Sequence, residues 1–194
     1  SHTGDPMDDS VGSIAGHGTH IAGTILQTAG VSAAENPFNI RILCIKAGDA
    51  YGNFPDEALI EALNYAVARG ADVINLSVSL TSCSRDLYDA LLSASEQAIF
   101  VSSAGNRGMG TSENSGSEGR SYYPAALPFV VGVMSYGKEH TLSSFSNWDR
   151  ISDSGEDYEL AAPGESIFSS VPGGSFKNSS GTSMSAGIVS GAAA

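Results

Sequence analysis

Two segments near opposite ends of the chain hold residues that could carry out acyl chemistry. Gly181-Thr182-Ser183-Met184-Ser185-Ala186 puts a serine where a loop enters an Ala-rich helix, and Gly16-His17-Gly18-Thr19-His20 supplies two imidazoles. A serine hydroxyl is a weak nucleophile until a base takes its proton and donors stabilise the oxyanion that follows. Helix entry serves the second need, because unsatisfied backbone N–H groups and the positive end of the helix dipole gather there. Ser183 is thus a candidate nucleophile, with a base in the histidine run. The competing use of that run is a metal pair, since His17 and His20 are spaced i, i+3 on a helix. No third Cys, Asp or Glu ligand follows at a convincing spacing, so no metal is assigned.

Composition narrows the setting. With 194 residues, 41% of them apolar and 15% charged, the chain buries a sizeable core and reads as one domain or most of one. A net charge of -12, with nine Lys and Arg spread along the chain, argues against nucleic acid, which requires clustered cations. There is no run of about 18 apolar residues, so no membrane-spanning helix is expected. Ser1 opens on a polar stretch rather than a signal sequence. Cys44 lies in the apolar run from Ile40 to Ile45 and Cys83 in a Ser/Thr-rich loop, settings too unlike to favour a disulfide.

The elements that must position Ser183 and the histidines follow from periodicity and punctuation. Asn39 to Ala47 reads as a strand. Asp56 to Arg69 reads as a helix with Leu59, Ala62, Leu63, Ala66 and Val67 on one face, capped by Asp56 and Gly70. Asp72 to Ser79 is a short apolar strand, Ser84 caps a second helix running to about Glu96, and Ala98 to Ala104 is another strand. This β-α-β-α-β order predicts an α/β fold, a parallel sheet with right-handed crossovers and helices on its faces. Later strands are expected at Phe129 to Ser135, Glu159 to Ala162 and Ser166 to Val171. Ligands in such sheets bind beyond the carboxyl ends of the strands, where Ser77-Val78-Ser79 and Gly105-Asn106-Arg107-Gly108 fall.

Gly-His-Gly, Ser102-Ser103-Ala104-Gly105-Asn106 and Gly-Thr-Ser-Met, in this order, resemble the subtilisin-like serine proteases. The resemblance extends to Ala71-Asp72-Val73-Ile74-Asn75-Leu76-Ser77, Tyr123-Pro124-Ala125, Ser144-Phe145-Ser146-Asn147 and Ala161-Ala162-Pro163-Gly164. It implies a three-layer sandwich with a mostly parallel central sheet and helices on both faces. It implies a serine endopeptidase with Ser183 as nucleophile and His17 as general base, and it makes His20 structural. Asn106 would complete an oxyanion hole with the Ser183 N–H. Removing that asparagine costs about 100- to 1,000-fold in rate, a magnitude that comes from subtilisin itself. Ser77, Val78 and Ser79 would pair with an extended peptide by β-augmentation, with Gly105 and Arg107 bordering the substrate. Arg107 suggests a mild preference for acidic or polar residues before the scissile bond. The family further implies polypeptide substrates, an inhibitory pro-segment, a monomer, secretion or a cell-envelope location, and no required cofactor beyond structural calcium.

The sequence departs from that pattern in several places. The family runs Asp, His, Ser along the chain, with the aspartate about 30 residues before the histidine. Only 16 residues precede His17, and Asp5, Asp8 and Asp9 resemble the acidic loop just upstream of the histidine motif, so none is assigned as the triad carboxylate. Both ends look cut: a strand is expected before His17, and Gly191-Ala192-Ala193-Ala194 stops inside a helix. Residues 1–194 are therefore read as a partial peptidase domain whose aspartate lies upstream, nearly inactive alone because loss of the carboxylate costs about 10,000-fold in serine proteases. Gly187 and Ile188 stand where relatives usually carry proline and often histidine, and Ser79 stands for a glycine. Asp5 to Asp9 and Asp153 to Asp157 read as solvated acidic loops, with calcium sites as the alternative. Asn75-Leu76-Ser77 and Asn178-Ser179-Ser180 match the glycosylation pattern. A non-catalytic peptide-binding module on the same scaffold is the alternative function, and metal-dependent hydrolysis through His17 and His20 a third.

Overall fold

The computed structural model describes residues 15–32, 34–36, 38–111, 121–149 and 157–194. Helix α1 is His17–Thr28 and α2 is Asp56–Ala68. Pro55 occupies the N-cap of α2, so Asp56 lies within the first turn beside Glu57, where both acids complement the dipole instead of capping. At the other end Gly70 N–H bonds the Val67 carbonyl at 2.9 Å and Ala71 N–H bonds the Ala66 carbonyl at 3.1 Å, the Schellman arrangement that the glycine predicts. Strand β1 is Val73–Leu76 and helix α3 is Arg85–Ser95, with the Ser84 hydroxyl accepting from Leu87 N–H at 3.2 Å as expected. Then follow β2 (Ile99–Ser103), β3 (Val131–Tyr136), β4 (Leu160–Pro163), β5 (Ile167–Val171), β6 (Ser175–Ser179) and α4 (Thr182–Ala193).

Strands β1 to β4 form one parallel sheet in sequence order, in register at Val73 with Ile99, Val101 with Val131 and Val133 with Leu160. Successive strand residues point to opposite faces, so neighbouring Phe100 and Val101 serve different layers. On one side Ile74 and Phe100 pack under Leu59 and Leu63 of α2 and Leu87 and Leu91 of α3. On the other, Val101, Val133 and Ala162 pack against Ala186 of α4. The result is the expected α/β sandwich with helices on both faces of a parallel sheet.

One expected strand does not form, and another forms outside the main sheet. Asn39 to Ala47 forms no ladder: this segment and β1 both line one cavity of about 2350 Å³, and among the described residues β1 pairs only with β2. An extended segment becomes a strand only when a neighbour takes its N–H and C=O groups. Ser166 to Val171 does form a strand, β5, but it pairs antiparallel with β6 as a separate hairpin around Pro172-Gly173-Gly174. The Gly-Gly turn chemistry is the local signal for that hairpin. Cys44 and Cys83 are free thiols, and among the described residues no helix is long and apolar enough to cross a membrane.

Helix α4 also lies against α1, and glycines set the approach. A Cβ at Gly191 would sit 2.5 Å from the Ile25 carbonyl oxygen and 2.8 Å from Thr28 Cβ, whereas one at Gly187 would meet Thr24 Cγ2 at 3.4 Å, an ordinary contact. The glycine at 187 therefore weakens α4 locally without being sterically required. Gly187→Ala is expected to raise the thermal unfolding midpoint, gaining up to about 1 kcal/mol of helix propensity. Gly191→Ala is expected to lower it, by about 1–3 kcal/mol of overpacking against backbone that cannot yield. Thermal unfolding of the two variants checks both signs.

Candidate active site

The site forms where the carboxyl ends of the strands meet the start of α4. Gly181 is the N-cap and Thr182 the first helical residue, so the first-turn N–H groups point out of the helix. Thr182 N–H donates to Asn106 Oδ1 at 2.8 Å, and the Thr182 hydroxyl donates to the same oxygen at 2.9 Å while accepting from Gly105 N–H at 3.1 Å. Met184 N–H goes to the Gly181 carbonyl at 3.1 Å. Ser183 N–H has no acceptor in the chain among the described residues. Two donors are left over: the Ser183 N–H, and Asn106 Nδ2, whose amide is oriented by the engagement of its oxygen. Nδ2 lies close to Gly181, 3.3 Å from where a Cβ would stand.

The position of this helix start is set from below. Gly181 N–H bonds the Gly164 carbonyl at 2.8 Å, and the Ser185 hydroxyl bonds the carbonyls of Ala162 and Pro163, both at 3.1 Å. From the side, Asn75 Nδ2 donates to Ser77 Oγ at 2.9 Å, which donates to the Ser183 carbonyl at 3.2 Å. Ser190 Oγ, two turns further along α4, donates to Asn75 Oδ1 at 3.0 Å. Thr182, Ser185, Asn75 and Ser190 were not singled out from sequence as site residues. The available signal was the density of hydroxyls in an otherwise apolar helix, buried at Thr182, Ser183, Ser185 and Ser190.

His17 opens α1, next to Gly16 in a left-handed conformation (φ 75°), where any side chain would also press on Pro172. His17, Asn106, Ser183 and the segment Ser77-Val78-Ser79 all line the large cleft beside β1. Gly105 is buried behind Asn106, and the exposed Arg107 stands outside that lining. The sequon at Asn75 is occupied by the bonds just described, and the one at Asn178 is exposed on β6. Among the described residues no group of three His, Cys, Asp or Glu is placed to hold a metal; Asp5 to Asp9 and residues 153–156 lie outside the described residues.

A family model described as the subtilase family matches residues 1–194. The chain belongs to the subtilase family. It is 34% identical over 194 residues to the major intracellular serine protease of Bacillus subtilis (strain 168), covering 96% of this chain and 56% of that protein. It is 34% identical over 183 residues to subtilisin DY of Bacillus licheniformis, covering 92% and 62%. Among solved structures, a cold adapted subtilisin-like serine proteinase superposes with a TM-score of 0.74 at 31% identity, over 92% of this chain and 60% of that one. A lanthipeptide protease gives a TM-score of 0.74 at 28% identity, over 92% and 59%. The chain thus spans about three fifths of the length of these subtilase relatives.

Within this subtilase domain the two histidines of one motif have separate environments. His17 is half-buried at the cleft, and His20 is fully buried. His20 Nε2 lies 3.1 Å from the Ile167 carbonyl and 3.2 Å from the Lys177 carbonyl; since carbonyls only accept, Nε2 carries the proton and ties α1 to both strands of the hairpin. Nδ1 is buried without a partner. Burial holds the His20 pKa below its ordinary 6.5, the two carbonyls partly oppose this, and the Lys177 charge adds to the lowering. Above 6.5 the ring is neutral folded or unfolded. As pH falls below 6.5 the unfolded chain takes up a proton that the folded chain refuses, so stability is lost down to the folded pKa. Between about pH 7.5 and 5.5 the thermal midpoint is expected to fall more steeply for the native chain than for His20→Gln. Equal slopes would mean that His20 does not titrate in this range.

Proposed function

We propose that this domain is the histidine-to-serine part of a serine endopeptidase that cleaves peptide bonds through an acyl-enzyme. The observation that carries the reading is the engagement of Asn106 Oδ1 by Thr182, which leaves Nδ2 and the Ser183 N–H as unused donors at the cleft that His17 also lines. In the acylation step the Ser183 hydroxyl oxygen bonds the substrate carbonyl carbon as its proton passes to the His17 imidazole. The carbonyl oxygen becomes an oxyanion held by Asn106 Nδ2 and Ser183 N–H. Collapse breaks the C–N bond, the leaving amine takes the proton from His17, and water repeats the sequence to free Ser183.

The imidazolium formed at His17 requires a carboxylate partner. We assign this to an aspartate from a segment upstream of His17. Support comes from the cleft beside β1, which reaches His17 and borders the one edge of β1 that no described strand covers. An extended segment there would run about 4.8 Å from β1 and could bring a carboxylate toward the imidazole. On this reading residues 1–194 are part of a larger peptidase domain, which takes extended polypeptides along Ser77 to Ser79 as an added strand. A monomer, an inhibitory pro-segment and structural calcium belong to the same proposal. So does secretion or attachment to the cell envelope, which rests on resemblance to the minor extracellular protease Epr of Bacillus subtilis (strain 168), 32% identical over 192 residues. Fractionation of the tagged parent protein tests it, because an intracellular relative is equally similar.

In the full-length parent a fluorophosphonate probe is expected to label Ser183, and Ser183→Ala to abolish both labelling and peptide hydrolysis. Asn106→Ala is expected to lower kcat by about 100- to 1,000-fold with little change in KM, the magnitude known for subtilisin. Peptide binding without labelling would favour a non-catalytic module; hydrolysis lost to a chelator yet insensitive to Ser183→Ala would favour metal chemistry. For Arg107, a peptide library is expected to show a mild preference for acidic residues before the scissile bond, lost in Arg107→Ala. An unchanged profile removes that role.

A further inference from the structure

The segment Ser144-Phe145-Ser146-Asn147 has no part in the chemistry above, yet Asn147 is fully buried directly behind the oxyanion loop. Its Oδ1 accepts from Arg107 N–H at 3.0 Å and Met109 N–H at 3.3 Å, and its Nδ2 donates to the Ala104 carbonyl at 2.9 Å. Its own backbone N–H donates to the Gly105 carbonyl at 2.8 Å. These four bonds bracket Asn106 on both sides while leaving it untouched. A Cβ at Gly105 would run into the Asn147 amide, so the loop is shaped around this side chain.

The backbone that carries this carboxamide is itself anchored to the sheet. Ser146 Oγ accepts from Ser135 N–H of β3 at 2.9 Å and donates to the Asn147 carbonyl at 2.7 Å, and the Ser135 and Ser143 hydroxyls are 2.9 Å apart. Phe145 and Trp148 add backbone bonds to Gly108 and Met109, at 2.8 and 3.0 Å. Asn106 is therefore held twice: Thr182 orients its amide, and Asn147 fixes the backbone that carries it. An amide has a donor end and an acceptor end on one rigid plane, and both are needed here because the loop presents N–H groups after Asn106 and a carbonyl before it.

We propose that Asn147 is a positioning residue for the oxyanion hole: it holds residues 104–109 so that Asn106 Nδ2 is aimed where charge develops. The inference rests on Asn106 acting as the oxyanion donor. Removing the amide leaves the Arg107 and Met109 N–H groups and the Ala104 carbonyl without their partner, and the loop must shift to find others. A displacement near 1 Å at such a site is worth about 100-fold in rate.

The test is a double-mutant cycle in the full-length parent protein, read as kcat and KM for a peptide substrate. Asn147→Ala is expected to lower kcat by about 10- to 100-fold with KM changed by less than about 3-fold. In an Asn106→Ala background the same substitution is expected to lower kcat by less than about 2-fold, because the donor it aims is gone. Equal losses in both backgrounds, or an unchanged kcat in the single variant, overturn the proposal. Circular dichroism establishes folding, and if Asn147→Ala does not fold, the cycle is run with Asn147→Ser, which keeps one hydroxyl in the pocket. A parent that labels at Ser183 and hydrolyses peptides but gives equal losses overturns only the positioning role. A parent that neither labels nor hydrolyses overturns the protease reading and this inference with it.

Discussion

A helix cannot satisfy the N–H groups of its own first turn, and the site depends on how α4 resolves that shortage. Asn106 takes the Thr182 N–H and the Gly181 carbonyl takes that of Met184, while the Ser183 N–H stays open. Because Thr182 claims the Asn106 oxygen, the same bond that completes the helix end also leaves the Asn106 nitrogen as a donor close to Gly181. Local stability and the geometry of the site are one arrangement.

The parallel sheet makes that arrangement possible. All four strands point their carboxyl ends at the same edge, so the segments after β1, β2 and β4 reach α4 together: Ser77 at the Ser183 carbonyl, Asn106 at Thr182, and Gly164 at Gly181. The linking groups are neutral hydroxyls, amides and backbone. Such a buried network is rigid when each member is satisfied and expensive when one is not. Close glycine contacts bring α1 against α4, and the buried His20 ties α1 to the hairpin, which places His17 at the rim of the same cleft.

Much of the fold was legible from local pattern. Helices α2 and α3 announced themselves by apolar spacing and by Gly70 and Ser84 at their ends, and β1 to β3 by short apolar runs containing Val or Ile. The misjudged element was one whose state depends on a neighbouring strand. Asn39 to Ala47 has strand composition but no ladder partner among the described residues, whereas β5 forms where a strand is expected and pairs antiparallel with β6. The site was legible as a set of motifs, and Ser183, His17, Asn106 and Ser77 to Ser79 do line one cleft.

What the sequence determined by itself was the inventory: which nucleophile, imidazoles and amides are present, and which local elements begin or end next to them. The residue pattern taken alone did not separate identical groups; for His17 and His20 the family resemblance did so, and packing supplies the physical reason. His17 and His20 share one motif, and Asn106 and Asn147 are both asparagines in polar loops; only packing leaves the first of each pair at the site and buries the second behind it. Burial and hydrogen-bond partners make that distinction, and for these residues the partners come from segments about 40 to 160 positions away along the chain.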